Sequence, residues 1–178
     1  MEPSVFKHYA THYKTHEPMP DALVDKIKKA ATFNQGYALT ELLAAASLDM
    51  KWHELGADAP SQDVDMFEAD ALRSVHLDLP QVPTRYRSSY FLHIWSNGYA
   101  AGYYSYKWAE VLSADAYSAF EEAAKLTGSV IDPVTGARYR TEILEVGGSR
   151  PAAESFKAFR GREPSIDALL RHGGLAQN

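Results

Sequence analysis

The chain has 178 residues, a formal net charge of −5, 46% hydrophobic residues and no cysteine. Such a length and apolar content suffice for a single helical domain or subdomain with its own core, while the missing cysteines exclude disulfides and thiolate metal sites. The acidic balance argues against nucleic acid as a partner, because phosphate binding needs a basic face.

The first stretch, MEPSVFKHYATHYK, lacks the apolar core of a signal peptide. The longest apolar-rich run, Ala38 to Leu48, is too short to cross a bilayer and is broken by Thr40, Glu41 and Ser47. No membrane partner and a cytoplasmic location are therefore expected. His8, His12 and His16 fall at i, i+4, i+8. Two histidines one helical turn apart can bind a metal, but no carboxylate follows at motif spacing and Pro18 limits the helix, so no metal role is assigned.

Leu23, Ile27 and Ala30 repeat at helical spacing and predict a helix from Asp21 to about Asn34. A second helix follows Gly36 and ends near Gly56, with Leu39, Leu42, Leu43, Ala46 and Met50 as its buried stripe. Ala44, Ala45 and Ala46 favour the helix and allow close packing. Residues 58–62 read as a loop, and residues 63–75 as a helix with Phe67, Leu72 and Val75 inward. Residues 79–88 form a proline-containing connector, since Pro80 and Pro83 remove donors and push their predecessors to extended geometry. Ser88 or Ser89 then caps a short helix through Trp95.

Residues 95–98 form a flexible loop, broken at Asn97-Gly98. A long helix is expected from about Tyr99 to Lys125, with Gly102 weakening its first turns by roughly 1 kcal/mol relative to alanine and pointing to close approach by a backbone or ligand. Thr127-Gly128 stops it. Asp132-Pro133 places an N-cap before a proline at the first helical position, opening a helix to Val146 that ends at Gly147-Gly148. Ser149 caps the next helix, through Phe159, which Gly161 ends. A last helix, Ile166 to His172, stops at Gly173-Gly174. No sustained period-two alternation occurs, so the fold class is mostly α.

Within this frame the stretch from Ser89 to Glu110 carries the chemistry. Tyr99, Tyr103 and Tyr106 are spaced i, i+4, i+7, which places three phenols on one face of a helix. A phenol is neutral at pH 7 and both donates and accepts hydrogen bonds. On spacing alone such a stripe reads as packing; beside a glycine-containing loop it also suits a polar surface that touches a ligand.

HIWSNGYAAGYYSYKWAEVLSADAY resembles the corresponding region of the thimet oligopeptidase, oligopeptidase A and peptidyl-dipeptidase family of zinc metallopeptidases. The tail, EILEVGGSRPAAESFKAFRGREPSIDALLRHGGL, and the earlier run HYATHYKTHEPMPDALVDKIKKAATFNQGYALTELLAAA resemble the same family. The bacterial peptidyl-dipeptidase branch is the nearer likeness, with oligopeptidase A the alternative. The resemblance covers nearly the whole chain but not the family's H-E-x-x-H zinc helix. Its nearest counterpart, His53-Glu54-Leu55-Gly56-Ala57, has alanine at the second histidine's place, so His53 and Glu54 read as solvated residues at a helix end.

The resemblance implies a helical C-terminal lobe of a two-lobed, zincin-like oligopeptidase: a cleft-wall segment of an enzyme that hydrolyses short peptides and releases C-terminal dipeptides. By motif position it implies that Tyr106 meets the developing oxyanion, that His93 lies beside the reacting centre, and that Tyr99, Tyr103, Gly98 and Asn97 face the substrate. Many relatives read Gly-Gly where this chain has Asn97-Gly98. Asn tolerates positive φ better than most residues, which keeps some of the loop's freedom. Zinc belongs to the intact parent enzyme and none is expected on this chain, whose partner is a short peptide held together with the missing catalytic half. The isolated piece is expected to be inactive and to be capable of self-association. The alternative is a stand-alone, non-catalytic helical module that grips peptides or proteins.

Overall fold

The computed structural model describes residues 2–176. The chain is mostly α-helical, as its sequence predicts; among the described residues the only extended pairing is an isolated antiparallel bridge between Thr11 and Pro18. No helix is long and apolar enough to cross a membrane among the described residues. The chain divides into two compact units, one formed by Met1–Phe33 with Val111–Asn178, the other by Asn34–Glu110.

The Asn34–Glu110 unit is built on α3 (Gln35–His53) and α4 (Val64–Ser74), followed by a 3-10 turn (Ser88–Tyr90), α5 (Leu92–Trp95) and the first residues of α6 (Ser105–Thr127). Asp63 caps α4 by accepting the Met66 N–H at 2.9 Å, which satisfies one of the orphan amides at a helix start. Helix α3 buries two flanks. Leu42, Ala45 and Ala46 pack with Phe91, Ile94 and Tyr103, while Ala44 and Leu48 pack with Ala71 and Leu72. Trp52 joins both clusters. The expected stripe is corrected here: Leu43 and Met50 are exposed, and Ala44, Ala45, Leu48 and Asp49 are buried instead. Alanine has almost no side chain, so neighbours come close on two sides and the buried surface follows the alanines instead of one leucine ridge. Full burial of a leucine such as Leu48 contributes roughly 1.5–3 kcal/mol.

Ser88 does not cap a helix. It is buried, and its amide and hydroxyl both donate to the Glu68 carboxylate, at 2.9 and 3.0 Å. Phe91 precedes α5, with no side-chain cap.

The other unit contains α1 (Pro3–Phe6), α2 (Asp21–Ala31), the Val111–Thr127 part of α6, α7 (Pro133–Tyr139) running into a π-helical turn (Arg140–Leu144), α8 (Ala152–Arg160) and α9 (Asp167–His172). Asp132 caps α7 as predicted, accepting the Thr135 N–H at 2.7 Å ahead of Pro133. The predicted regular helix to Val146 gives way to the π turn after Tyr139. Ser149 is no cap: its hydroxyl donates back to the Val146 carbonyl, and Pro151 precedes α8. Gly161 ends α8 in the left-handed region, φ 74°. Phe159 packs against Tyr139 and Phe120 at ring centroids of 5.3 and 6.3 Å. His8, His12 and His16 lie beyond α1, and His12 sits in a turn in which its Nδ1 accepts the Thr15 N–H at 3.2 Å. The helical spacing assumed for the three is therefore absent.

Asp115 organises this unit. Its side chain is 1% exposed and meets Arg160 and Arg162. A cavity of about 570 Å³ borders it, lined by Asp115, Glu121, Glu122, Arg162 and Arg171 among others. These charges are engaged with one another: Arg160 donates to Glu122, and Arg171 to Glu121.

Candidate functional site

The residues singled out by sequence all fall within the Asn34–Glu110 unit. Helix α5 carries His93; Asn97 and Gly98 sit in the exposed turn after it; Tyr99 and Tyr103 lie in the turns before α6; Tyr106 lies in the first turn of α6. Tyr99 and Tyr106 stack with ring centroids 4.9 Å apart and an interplanar angle of 21°. Tyr103 meets Tyr106 edge-on at 5.2 Å. The His93 ring stands 5.9 Å from Tyr99, 5.5 Å from Tyr103 and 6.3 Å from Tyr106.

The route to this cluster differs from the predicted one. The helix begins at Ser105, not Tyr99, so the three phenols do not share one helical face. Residues 98–104 are turns, and Ala101 holds φ 51°. The left-handed residue is thus Ala101, and neither Asn97 nor Gly98 has a positive φ. The reason is Asp49, fully buried on α3. Its Oδ1 accepts the Ala101 N–H at 2.9 Å and its Oδ2 accepts the Tyr103 N–H at 2.8 Å. A side chain from elsewhere thus takes two amides from the segment expected to be helical. Gly102 is also corrected: a Cβ there would meet only carbonyls of its own turn, at 3.5 Å and beyond. No foreign backbone approaches it.

Exposure separates the three tyrosines. Tyr103 is 3% exposed and belongs to the core with Phe91 and Leu42, whereas Tyr106 is 38% exposed. Burial pushes the Tyr103 phenol up, partly offset by Arg85. The Tyr106 phenol is pushed up to about 12, first by its hydrogen bond with Tyr99, then by desolvation and by the neighbouring phenols. A donor in a hydrogen bond holds its proton more tightly, so the pair reads as Tyr106 donating and Tyr99 accepting. His93 Nδ1 is buried without a partner. The Nε2–H tautomer fits this best, since it leaves a bare acceptor there and not an unsatisfied N–H.

The sequence does not single out three further side chains of this unit. Tyr86 stacks on Phe91 at 4.9 Å and stands 5.0 Å from His93; nothing periodic in the connector announces it. Asp49 and Glu68 were legible in principle. Each lies three and four residues from buried apolar positions, Ala45 with Ala46 and Ala71 with Leu72. A carboxylate on such a face demands partners. Glu68 finds Arg87 as well as Ser88. Trp52 Nε1 and Trp95 Nε1 donate to the Ser88 hydroxyl and carbonyl, both at 2.8 Å.

The residues present do not fit a zinc site. Ala57 cannot ligate, and among the described residues no three His, Cys, Asp or Glu side chains converge where they could hold a metal ion. His53 is not simply solvated. Its Nδ1 lies 2.8 Å from the Asp49 carbonyl and 2.9 Å from the Asp49 carboxylate.

Residues 1–175 match the family described as peptidase family M3. The chain is 48% identical to a dipeptidyl carboxypeptidase of Salmonella typhimurium and 46% identical to one of Escherichia coli, in each case over 97% of this chain and 25% of the relative. It is 41% identical to an oligopeptidase A of Haemophilus influenzae, over 92% of this chain and 23% of that protein. The chain thus spans about a quarter of the length of the curated relatives it matches.

Proposed function

This chain belongs to peptidase family M3, and on that premise we propose that it forms one wall of the peptide cleft in a zinc metallopeptidase that releases C-terminal dipeptides from short peptides. Zinc, in this reading, is held by protein outside these 178 residues. The chain's own contribution is a neutral hydrogen-bond donor. As the scissile carbonyl is attacked, its oxygen gains negative charge, and the Tyr106 hydroxyl turns from Tyr99 to donate to it. His93 flanks the reacting centre with its Nε2–H. Tyr99, Asn97 and Gly98 face the bound peptide, while buried Tyr103 holds the rings in place. Dipeptide release is favoured over internal cleavage by the higher identity to the two dipeptidyl carboxypeptidases than to the oligopeptidase A. The cytoplasm is the location that accompanies this reading.

One observation supports it most: an exposed phenol, pushed up to about 12, stacked on a second phenol beside a histidine. A donor that keeps its proton at working pH can stabilise an oxyanion; an ionised one cannot. The test is a segment swap. This chain replaces the matching quarter of the Escherichia coli dipeptidyl carboxypeptidase, and steady-state kinetics are measured on a short peptide. Tyr106→Phe should lower kcat by about 10² to 10³ fold, the scale of one oxyanion donor, with KM barely changed. A near-normal kcat would mean that the tyrosine cluster is structural.

A further inference from the structure

We infer that Asp49 is the positioning residue that holds the Tyr99–Tyr106 pair, by fastening the backbone between the two rings. This deepens the reading above, on which the role of that pair rests, but the fastening is a property of this chain and is tested without catalysis.

Asp49 belongs to α3 and is 0% exposed. A carboxylate removed from water must be matched by donors, and every donor the structure gives it has a position of consequence. Ala101 N–H and Tyr103 N–H bind separate oxygens of the carboxylate, across 52 and 54 residues of sequence. His53 Nδ1, one helical turn along α3, reaches the same oxygen as Ala101, at 2.9 Å. The two amides bracket Gly102, so the carboxylate spans the middle of the 99–106 segment.

Ala101 shows why a fastening is needed. At φ 51° it occupies the left-handed region, which is unfavourable for a non-glycine residue. Left to itself, an Ala-Ala-Gly segment ahead of a helix would extend that helix or relax to negative φ. Hydrogen bonds to an ionised acceptor are about twice as strong as neutral ones, and two of them hold the unfavourable turn. The turn then brings Tyr99 back over Tyr106, stacked at 4.9 Å. Glu68 is the natural control. It is another buried carboxylate of the same unit, but its partners are Ser88 and Arg87 and not the Ala101 and Tyr103 amides.

The test uses the 178-residue chain and three variants: Asp49→Asn, Asp49→Asn with Ala101→Gly, and Glu68→Gln. Asparagine offers one acceptor, so it can hold one of the two amides and must turn an NH₂ toward the other. Amide hydrogen exchange of at least one of Ala101 and Tyr103, the one that faces the NH₂, should accelerate by roughly 10- to 100-fold in Asp49→Asn, the range for one hydrogen bond to a charged group, while the α3 amides keep their protection. Glu68→Gln should accelerate Ser88 and leave Ala101 and Tyr103 as they are. Ring-carbon NMR of Tyr106 supplies a signature that general weakening would not move. At pH 11 a phenol at about 12 is about one-tenth ionised and one at 10 about nine-tenths ionised. Wild type should show the first, and Asp49→Asn the second. Should Asp49→Asn not fold, the double variant serves, because glycine takes positive φ without strain; there too at least one of the two amides should exchange fast, although the turn persists. Ala101 and Tyr103 amides that both stay protected in whichever variant folds, or a Tyr106 phenol that stays protonated at pH 11 in Asp49→Asn, would overturn the inference. Neither readout depends on turnover. A normal kcat for Tyr106→Phe would remove the catalytic reading and leave the fastening intact.

Discussion

Asp115→Asn should destabilise the unit that contains α8 and α9 by about 3 kcal/mol, the lower end of the range for removing one member of a buried ion pair. Asp115 receives five side-chain or backbone donations. Oδ1 accepts from Arg162 Nη2 at 2.6 Å, Arg160 Nε at 3.2 Å and the Ser118 hydroxyl at 3.3 Å; Oδ2 accepts from Arg162 Nη1 and the Ser165 amide, both at 2.7 Å. The variant keeps the shape but removes the charge, and the Arg160 side chain, 4% exposed, is left as a buried cation. The estimate stays at the lower end because Arg160 retains Glu122 through two contacts at 3.0 and 2.8 Å and Arg162, 44% exposed, can turn to water. Acid provides the second reading. Burial alone would raise the Asp115 carboxyl, but the Arg162 and Ser165 hydrogen bonds and both guanidinium charges outweigh it and hold the carboxyl below its usual range. A depressed folded value means a contribution fully present above the unfolded value, about 3.9, and lost as pH falls through the folded one. The gap between wild type and Asp115→Asn, followed by urea unfolding with far-UV circular dichroism, should therefore be widest near neutrality and close below about pH 4. A neutral-pH gap under about 1 kcal/mol, the scale of an exposed pair, or a gap that does not close in acid, would refute the reasoning.

Tyr99→Phe removes the acceptor of the phenol pair, so the Tyr106 phenol should fall from about 12 toward 10; ring-carbon NMR titration reads this, and an unmoved Tyr106 would show that Tyr99 is not its partner. In the segment-swapped enzyme the same change should act mainly on KM, since a group that touches substrate in both ground and transition states gives uniform binding. The chain alone should carry no stoichiometric zinc after dialysis and should not hydrolyse a fluorogenic peptide; one zinc per chain, or chelator-sensitive turnover, would contradict this. We also expect self-association at micromolar concentration, because Tyr37, Leu43 and Met50 on α3 and Leu92 and Trp95 on α5 are exposed apolar residues and contiguous apolar surface finds partners. Light scattering from a clean monomer that binds no hydrophobic dye would count against it.

Punctuation was the most legible part of the fold. Asp132-Pro133 opens α7, Gly161 closes α8, and Gly173-Gly174 follows α9 because each acts on backbone within a few residues of itself. Side-chain hydroxyls were less legible, because a serine can be claimed by several competing partners. Ser88 and Ser149 have the composition of caps, but Ser88 is claimed by Glu68, 20 residues earlier, and Ser149 by a carbonyl three residues back. The alanine-rich sequence predicts α3 as a helix, but its buried flanks differ from the predicted stripe. Periodicity assumes one apolar face, and a helix with three consecutive alanines can be approached from two.

The tyrosine cluster carries the same lesson into the site. Helical spacing brought Tyr99, Tyr103 and Tyr106 together for a reason that does not hold, since no helix covers the first two. They meet because a carboxylate on α3 takes the Ala101 and Tyr103 amides and turns the chain back on itself. The geometry also sorts what spacing left equal: Tyr103 goes to the core and Tyr106 to the surface. A helix from Tyr99 would have spent the Tyr103 amide on the Tyr99 carbonyl and left the Ala101 amide among its unpaired first four. Here both are spent on Asp49, and the turn so formed sets one phenol against another, which pushes the Tyr106 phenol up to about 12.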